Sequence, residues 1–507
     1  MSQMSPLGPY DWIASVARSD PARPCLSDGG DRRLSYADVD RAAGLHGAAL
    51  MQLGVRPGDR VALHVDKSLD VVVVYLACLR IGAVIVPLNT AYTMGELEYF
   101  LNDSEPSVLL ARPEGAAELA LAARAAGARV ETLGASGDGT YARRVAAETT
   151  QVPAATVSPA ALAALLYTSG TTGRSKGAMI TRANLLANAH ALVEAWHMSA
   201  QDTLVHVLPL FHVHGLFLSL NVLLAAGGSV RLLQRFDPTQ TIVQLASASA
   251  FMGVPTHYTR LLASAALSRE AVAGVRLFVS GSAPLLAQTH REFEARTGKA
   301  ILERYGMTET LVNTTNPYVG PRKPGSVGLP LPGVEVRITD TVRAENGSDV
   351  GMIEIRGPNV CAGYWRAPEK TATDRTEDGF FRTGDLGTLD GDGYLSIVGR
   401  TKDLVISGGL NVYPKEVELE LDALPGIVES AVFGVPHPDL GEAVTAAIAL
   451  SPGITLDETA LIGALRARLA AYKVPKRILV VGELPRNSMG KVQKNRLRED
   501  HRDLYRR

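Results

Sequence analysis

The run Tyr167-Thr168-Ser169-Gly170-Thr171-Thr172-Gly173-Arg174-Ser175-Lys176-Gly177 follows directly on Ala163 to Tyr167, an apolar segment that reads as a buried strand. Glycines and small hydroxyl residues let a backbone come close to a phosphate. Their N–H groups and hydroxyls donate to its oxygens, and Lys176 adds a point charge. No Gly-Lys-Ser/Thr closes the run, so it is not a Walker A loop. A flexible linker would not place a cation between a strand and the helical pattern of Ala183 to His197. The expectation is a phosphate-binding loop that leads from a strand into a helix.

On both sides of this loop, strand and helix patterns alternate. Tyr36 to Leu53 reads as a helix capped by Ser35, Val61 to Val65 as a strand, Asp70 to Leu79 as a buried helix and Ala83 to Pro87 as a buried strand. Short strands follow at Thr203 to Val207, Ser229 to Leu233, Phe251 to Val254 and Arg276 to Ser280. Alternation of this kind predicts parallel sheets covered by helices. Between Gly320 and Leu395 glycine and proline become dense, and a small antiparallel β region is expected. A small α/β unit then begins, with helices at Pro414 to Leu424 and, capped by Asp457, at Glu458 to Leu469. The predicted fold class is α/β: a large N-terminal domain over 1–399, a hinge at 400–403, and a small mobile α+β domain over 404–507.

Composition narrows the function. The 507 residues carry 51 Lys plus Arg against 52 Asp plus Glu, a net charge of −1. That balance argues against a nucleic-acid binder or a polybasic membrane protein. The three cysteines, Cys25, Cys78 and Cys361, are scattered and form neither a disulfide framework nor a zinc spacing. No run approaches the ~18 apolar residues of a membrane span, and no basic-then-apolar N-terminus suggests secretion. A cytoplasmic protein with no nucleic-acid, membrane or obligatory protein partner is expected. From Leu461 onward Lys and Arg number 13 against 4 acids, which suits either a solvated face or an anionic ligand.

The loop resembles the phosphate loop of the adenylate-forming superfamily, which includes acyl-CoA synthetases, adenylation domains and firefly luciferases. Further segments match in order: Ser280-Gly281-Ser282-Ala283-Pro284-Leu285, Arg304-Tyr305-Gly306-Met307-Thr308-Glu309-Thr310, Tyr364-Trp365 leading to Thr383-Gly384-Asp385, and Pro485-Arg486-Asn487-Ser488-Met489-Gly490-Lys491. The resemblance implies that a carboxylate and ATP form an acyl-adenylate, which coenzyme A then converts to a thioester. It implies nucleotide contacts from Thr168, Ser169, Gly170, Thr171, Thr172, Gly173 and Lys176, from Ser282, Ala283 and Pro284, and from Glu303, Arg304, Tyr305, Gly306, Met307 and Thr308. Asp385 would hold the ribose hydroxyls, a task suited to a carboxylate acceptor, with Arg400 assisting. Glu309 and Thr168 would contact Mg2+, a hard cation that takes oxygen ligands. Lys491 would stabilise charge gathering on the α-phosphate as the acid attacks. Lys402 matches the hinge, and Ser407, Gly408 and Gly409 match the lining of the coenzyme A arm.

The acyl pocket in this superfamily is expected around Leu210 to Gly215 and Gly253 to Arg260, closed by Ser280 to Ser282 and Met307. A fatty-acid enzyme would line that pocket with apolar residues. Here His212, His214 and Arg260 fall in those segments and Arg291 on the next helix, and a guanidinium suits a second carboxylate. The predicted carboxylate set is Arg260, Arg291, His212, His214 and Ser280, with His212 shaping the wall rather than acting as a base. Pro87-Leu88-Asn89-Thr90-Ala91-Tyr92-Thr93, Phe211 to Phe217 and Asn313-Thr314-Thr315-Asn316-Pro317-Tyr318 look like the corresponding segments of malonyl-CoA synthetases. Malonate, or another short diacid such as methylmalonate, is therefore the expected acid. A medium-chain or aromatic acyl-CoA ligase, a carrier-loading module that would continue into a carrier segment after Arg507, and a non-catalytic acyl-adenylate-binding protein are the alternatives.

Overall fold

The computed structural model describes residues 8–168, 175–343, 349–487 and 490–506. Ser169 to Gly173 of the phosphate loop, and Ser488 and Met489 of the last motif, lie outside the described residues. By its contacts the chain divides into two compact units. One comprises Met1–Pro324, Gly328–Glu335 and Ile355–Phe381; the other comprises Gly325–Val327, Val336–Glu354 and Arg382–Arg507. The strands of the antiparallel region group by contacts largely with the C-terminal residues.

The first unit is built on two sheets. Among the described residues, one runs in the order Arg129–Thr132, Val108–Ala111, Arg60–His64, Val84–Pro87, Leu162–Thr168, Lys176–Thr181, parallel throughout except for the last pair. The other has a parallel core ordered Pro24–Ser27, Ser229–Leu232, Thr203–His206, Ala250–Gly253, Leu277–Ser280, Ile301–Met307, with antiparallel strands beyond each end. Ligands of such sheets gather beyond the carboxyl ends of the strands, and the matched motifs Ser280 to Leu285 and Arg304 to Thr310 begin there.

The helices follow their sequence signals. Ser35 accepts from Asp38 N and Asp38 reciprocates, a capping box that starts Tyr36–Gln52. Ser68 accepts from Val71 N and starts Leu69–Ile81, which ends at Gly82 in a left-handed conformation (φ 81°). All thirteen residues of that helix are buried, so its run of four valines forms a helix despite their β preference: caps at both ends and burial all round outweigh a propensity difference of under about 1 kcal/mol per residue. Its Tyr75 hydroxyl lies 3.1 Å from Asn221 Oδ1, and its ring packs 5.8 Å from that of Phe217. A cluster of Phe251, Tyr258, Phe278 and Phe293, all buried, packs helices Pro255–Ala263 and Ala287–Thr297 onto the second sheet.

The second unit holds most of a sheet ordered Glu335–Arg343, Asp349–Arg356, Phe381–Leu389, Leu395–Arg400. It also holds a sheet in which Gly441–Leu450 lies between Val405–Ser407 and Ile427–His437 and pairs with Arg477–Val481. The basic surplus after Leu461 is neutralised within this unit to a large extent. Arg468, Lys473, Arg477, Lys494 and Arg498 pair with Glu420, Glu416, Glu458, Glu418 and Asp403. No helix among the described residues is long and apolar enough to cross a membrane.

Candidate active site

Strands Leu162–Thr168 and Lys176–Thr181 pair antiparallel, with Thr168 opposite Lys176. The expectation that a helix follows the phosphate loop is corrected here: a strand follows, and helix Arg182–Ala195 starts only after it, capped by Thr181 and Asn184. Residues 169–175 therefore connect the two strands of a hairpin whose ends are fixed by ladder hydrogen bonds. Tyr99 donates to Ser175 O at 2.7 Å, and the Tyr167 hydroxyl and Trp365 indole both bond to Asp103. Tyr99 and Asp103 stand outside every motif and gave no sequence signal.

At the start of the loop, Thr168 and Tyr364 each donate to the same oxygen of Glu309, both at 3.2 Å. Glu309 is buried, and its backbone carbonyl accepts from Cys361 N at 2.7 Å. The Tyr364 phenol is pushed up in pKa by burial first and by Glu309 second, so it remains a donor. A carboxylate flanked by two hydroxyls is an all-oxygen donor set, which fits Mg2+. Among the described residues no cluster of three His, Cys, Asp or Glu offers a softer metal an alternative.

A second centre forms where strand Leu277–Ser280 ends beside Ile301–Met307, with Ser280 opposite Glu303. Strand alternation sends Arg304 to the face opposite Glu303 and Tyr305. Its guanidinium lies against Gly281, where an added Cβ would crowd it and force the arginine's far end to shift. Arg304 is 5% exposed, and its Nε and Nη2 have no partner among the described residues. Burial alone pushes its pKa down to about 9.

His214 belongs to the same cluster. It opens a π-helical turn, His214–Leu220, places Nδ1 3.1 Å from Ser282 Oγ and leaves Nε2 without a partner. Burial first, and Arg304 next, hold its pKa well below the ordinary histidine value, so the ring is neutral. Ser282 has φ 71° without being glycine, and Ser280 Oγ is buried without a partner. Strained backbone and orphaned buried polar atoms concentrate at functional sites. His212 accepts from His214 N through Nδ1 at 3.2 Å, which makes it a support of the turn.

The two arginines expected at the acid are placed differently. Arg260, in the last turn of Pro255–Ala263, is exposed, yet near enough to His257 to help depress that ring's pKa to about 3, behind burial as the main cause. Arg291 lies on the exposed side of Ala287–Thr297, whose His290 and Phe293 face inward, and no described contact joins it to His214 or Arg304. The buried cation is Arg304, which the sequence reading grouped with the nucleotide.

In the second unit, Asp385 and Arg400 are opposite one another on adjacent strands, with Arg400 Nε 2.9 Å from Asp385 Oδ1. Asp385 is buried, and the guanidinium fixes the direction of its carboxylate. Lys402 sits in a single turn, Thr401–Asp403, its pKa lowered by burial and then by Arg400. Ser407 pairs with Leu410 across a two-residue hairpin in which Gly408 and Gly409 have φ 59° and 80°. Both positive angles demand glycine there for the turn itself. Lys491 N donates to Asn487 Oδ1 at 3.0 Å, and Asn487 N to Lys491 O at 2.9 Å, in a tight turn with Gly490 at φ 74°.

A family model described as AMP-binding enzyme matches residues 13–365, and one described as AMP-binding enzyme C-terminal domain matches 416–491. A feruloyl-CoA synthase of Amycolatopsis sp. is 36% identical over 497 residues, covering 96% of this chain and 98% of that protein. A malonate–CoA ligase of Arabidopsis thaliana is 36% identical over 483 residues, covering 88% and 78%. The crystal structure of ATP-bound MatB from Rhodopseudomonas palustris superposes with a TM-score of 0.94 at 49% identity, covering 99% of this chain and 100% of that one.

Proposed function

Since the chain belongs to the family of AMP-binding enzymes and is an AMP-forming acid–CoA ligase, we propose malonate as its acid. The reaction is malonate, ATP and coenzyme A to malonyl-CoA, AMP and diphosphate, through malonyl-adenylate. Overall identity does not choose the acid, because the feruloyl and malonate relatives are equally similar. The observation that carries the reading is the buried, unpartnered guanidinium of Arg304 beside neutral His214 and Ser280. A buried charge without a counter-ion is unfavourable, and an acid with an anionic tail neutralises it where a feruloyl ring would not. Arg260 stands at the rim and adds long-range attraction. Arg291, exposed on its helix, is left outside the proposed carboxylate set.

The roles follow from charge. The acid is ionised at neutral pH, so no base is required, and His212 shapes the wall. The loop hydroxyls and Lys176 receive the phosphates, and the backbone of Ser282 to Pro284 and Glu303 to Thr308 receives the nucleoside. Asp385, steadied by Arg400, takes the ribose hydroxyls. Glu309 and Thr168 would hold Mg2+, which when bound supplies charge to the phosphates. Lys491 supplies the ammonium that stabilises the phosphorane-like charge during adenylation. Residues 400–403, with Lys402, serve as the hinge of a mobile C-terminal domain, and Ser407 to Gly409 line the coenzyme A arm. Methylmalonate is a near neighbour, since one methyl changes binding by only ~1–3 kcal/mol.

The test is AMP release by the purified protein with ATP, Mg2+, coenzyme A and malonate, methylmalonate, acetate, butyrate, octanoate or ferulate. Malonate should exceed butyrate in kcat/KM by about 10⁴-fold, the discrimination expected when a site built for a polar group meets a substrate lacking it. Preference for ferulate or octanoate would overturn the proposal.

A further inference from the structure

A second deep cation remains outside the machinery described so far. Lys67 lies just beyond the carboxyl end of strand Arg60–His64, and its Nζ donates to the carbonyl of His206, at the end of Thr203–His206, at 2.9 Å. The contact joins residues at the ends of strands in the two sheets of the first unit. The residue keeps some exposure, but desolvation around its ammonium pushes the pKa well below the ordinary lysine value. Among the described residues no carboxylate pairs with it. Its neighbour Asp66 faces Arg112 at 3.8 Å.

What surrounds Lys67 is polar and without formal negative charge. His206 and His257 both have pKa values pushed down to about 3, by burial first; Lys67 is the next cause for His206 and follows Arg260 for His257. Both rings are therefore neutral. His206 spends Nε2 on Gly215 O at 2.9 Å and leaves Nδ1 without a partner. His214, beside Arg304, lies within electrostatic reach of His206 and His257 as well. His206 thus bonds Lys67 through its carbonyl and Gly215, the residue after His214, through its ring. An ammonium has three donors, and the carbonyl of His206 uses one. Lysine is strongly hydrated, so a desolvated ammonium without a carboxylate calls for an anion from outside.

We infer that Lys67 is a specificity-determining residue of the acid site, its ammonium, held at the His206 carbonyl, providing counter-charge to the anionic tail of the bound diacid in addition to Arg304. This rests on the malonate reading. A carboxylate tail has two oxygens, and two cations discriminate against neutral tails more strongly than either alone.

The experiment compares wild type, Lys67→Met and Lys67→Arg in AMP release with malonate, butyrate and ferulate, alongside thermal melting. Lys67→Met should reduce the ratio of malonate to butyrate kcat/KM by on the order of 10²-fold, through a rise in KM for malonate, without a lower melting temperature. Lys67→Arg, which keeps the charge, should restore most of that ratio. Three results would overturn the inference. An unchanged ratio would mean that Lys67 does not face the acid. Proportional losses for both acids with lower melting would make it a tie between the strand ends. An arginine variant no better than methionine would remove charge as the cause. A wild-type preference for ferulate would instead defeat the malonate reading itself, and this inference with it.

Discussion

Arg304→Met separates the fold from the function most cleanly. Burial brings Arg304 from an ordinary 12.5 to about 9. Each pH unit of such displacement corresponds to about 1.4 kcal/mol, so holding the cation in the protein without its acid costs roughly 5 kcal/mol. The sign is fixed by linkage: the group is charged in both folded and unfolded chains below about pH 9, so the cost is fully present at neutral pH and is relieved only as pH climbs from about 9 towards 12.5. Methionine removes that cost and fills much of the space. After about 1–2 kcal/mol for imperfect packing, the empty variant should still be more stable, and its melting temperature should rise by a few degrees at neutral pH. Malonate turnover should move the other way. Leaving an anionic tail without its buried partner costs about 3–5 kcal/mol, or on the order of 10²–10⁴-fold in kcat/KM. The assay is initial-rate AMP release with malonate and with butyrate, read beside thermal unfolding. A variant that melts lower and loses both acids equally would refute the reasoning, as would a malonate kcat/KM within threefold of wild type. A large rise in KM for ATP would return Arg304 to the nucleotide.

Lys491→Ala should reduce adenylate formation by about 10²-fold or more while thioester formation from supplied malonyl-adenylate persists, measured as separate half-reactions. Asp422, in the C-terminal unit, has its pKa raised to about 6 by burial despite its bond from Ser430. The folded state then holds more protons than the unfolded between about pH 4 and 6, so the carboxylate's burial weakens the fold as pH rises through that window. Asp422→Asn should stabilise the protein by about 1–3 kcal/mol at pH 7.5 and have little effect below pH 4, read from melting at the two pH values. Phe293→Ala, within the aromatic cluster, should cost about 3–5 kcal/mol in chemical denaturation and raise KM for the acid through looser placement of helix Pro255–Ala263.

Local chemistry made much of this fold legible. Ser35 and Asp457 cap the helices expected of them because a side-chain oxygen three residues before a helical N–H needs no distant partner. The buried strands at 162–168, 203–206 and 277–280 declared themselves by apolar runs. The strand Lys176–Thr181 was hidden, because a short run after a glycine loop gains its identity only from pairing with Leu162–Thr168. The site divides in the same way. Thr168 and Glu309 belong to motifs and do meet, whereas Arg260 and Arg291 were chosen by segment and lie exposed. Arg304 and Lys67 matter because of what is absent around them, and a sequence does not display the absence of a counter-charge. Gly408 and Gly409 suit a lining of the coenzyme A arm by resemblance, and their hairpin turn also calls for them.

The fully buried helix Leu69–Ile81 has a consequence for how selectivity can change. Its cap, Ser68, is the residue after Lys67, and its Tyr75 is fastened to Phe217 and Asn221, just downstream of His214. Lys67 and the turn after His214 are thus registered to one rigid rod that has no free face along which to slide. Widening the gap between them would require unpacking the rod on every side. New acids are therefore more readily accommodated by exchanging the groups that project into the space than by moving its boundaries.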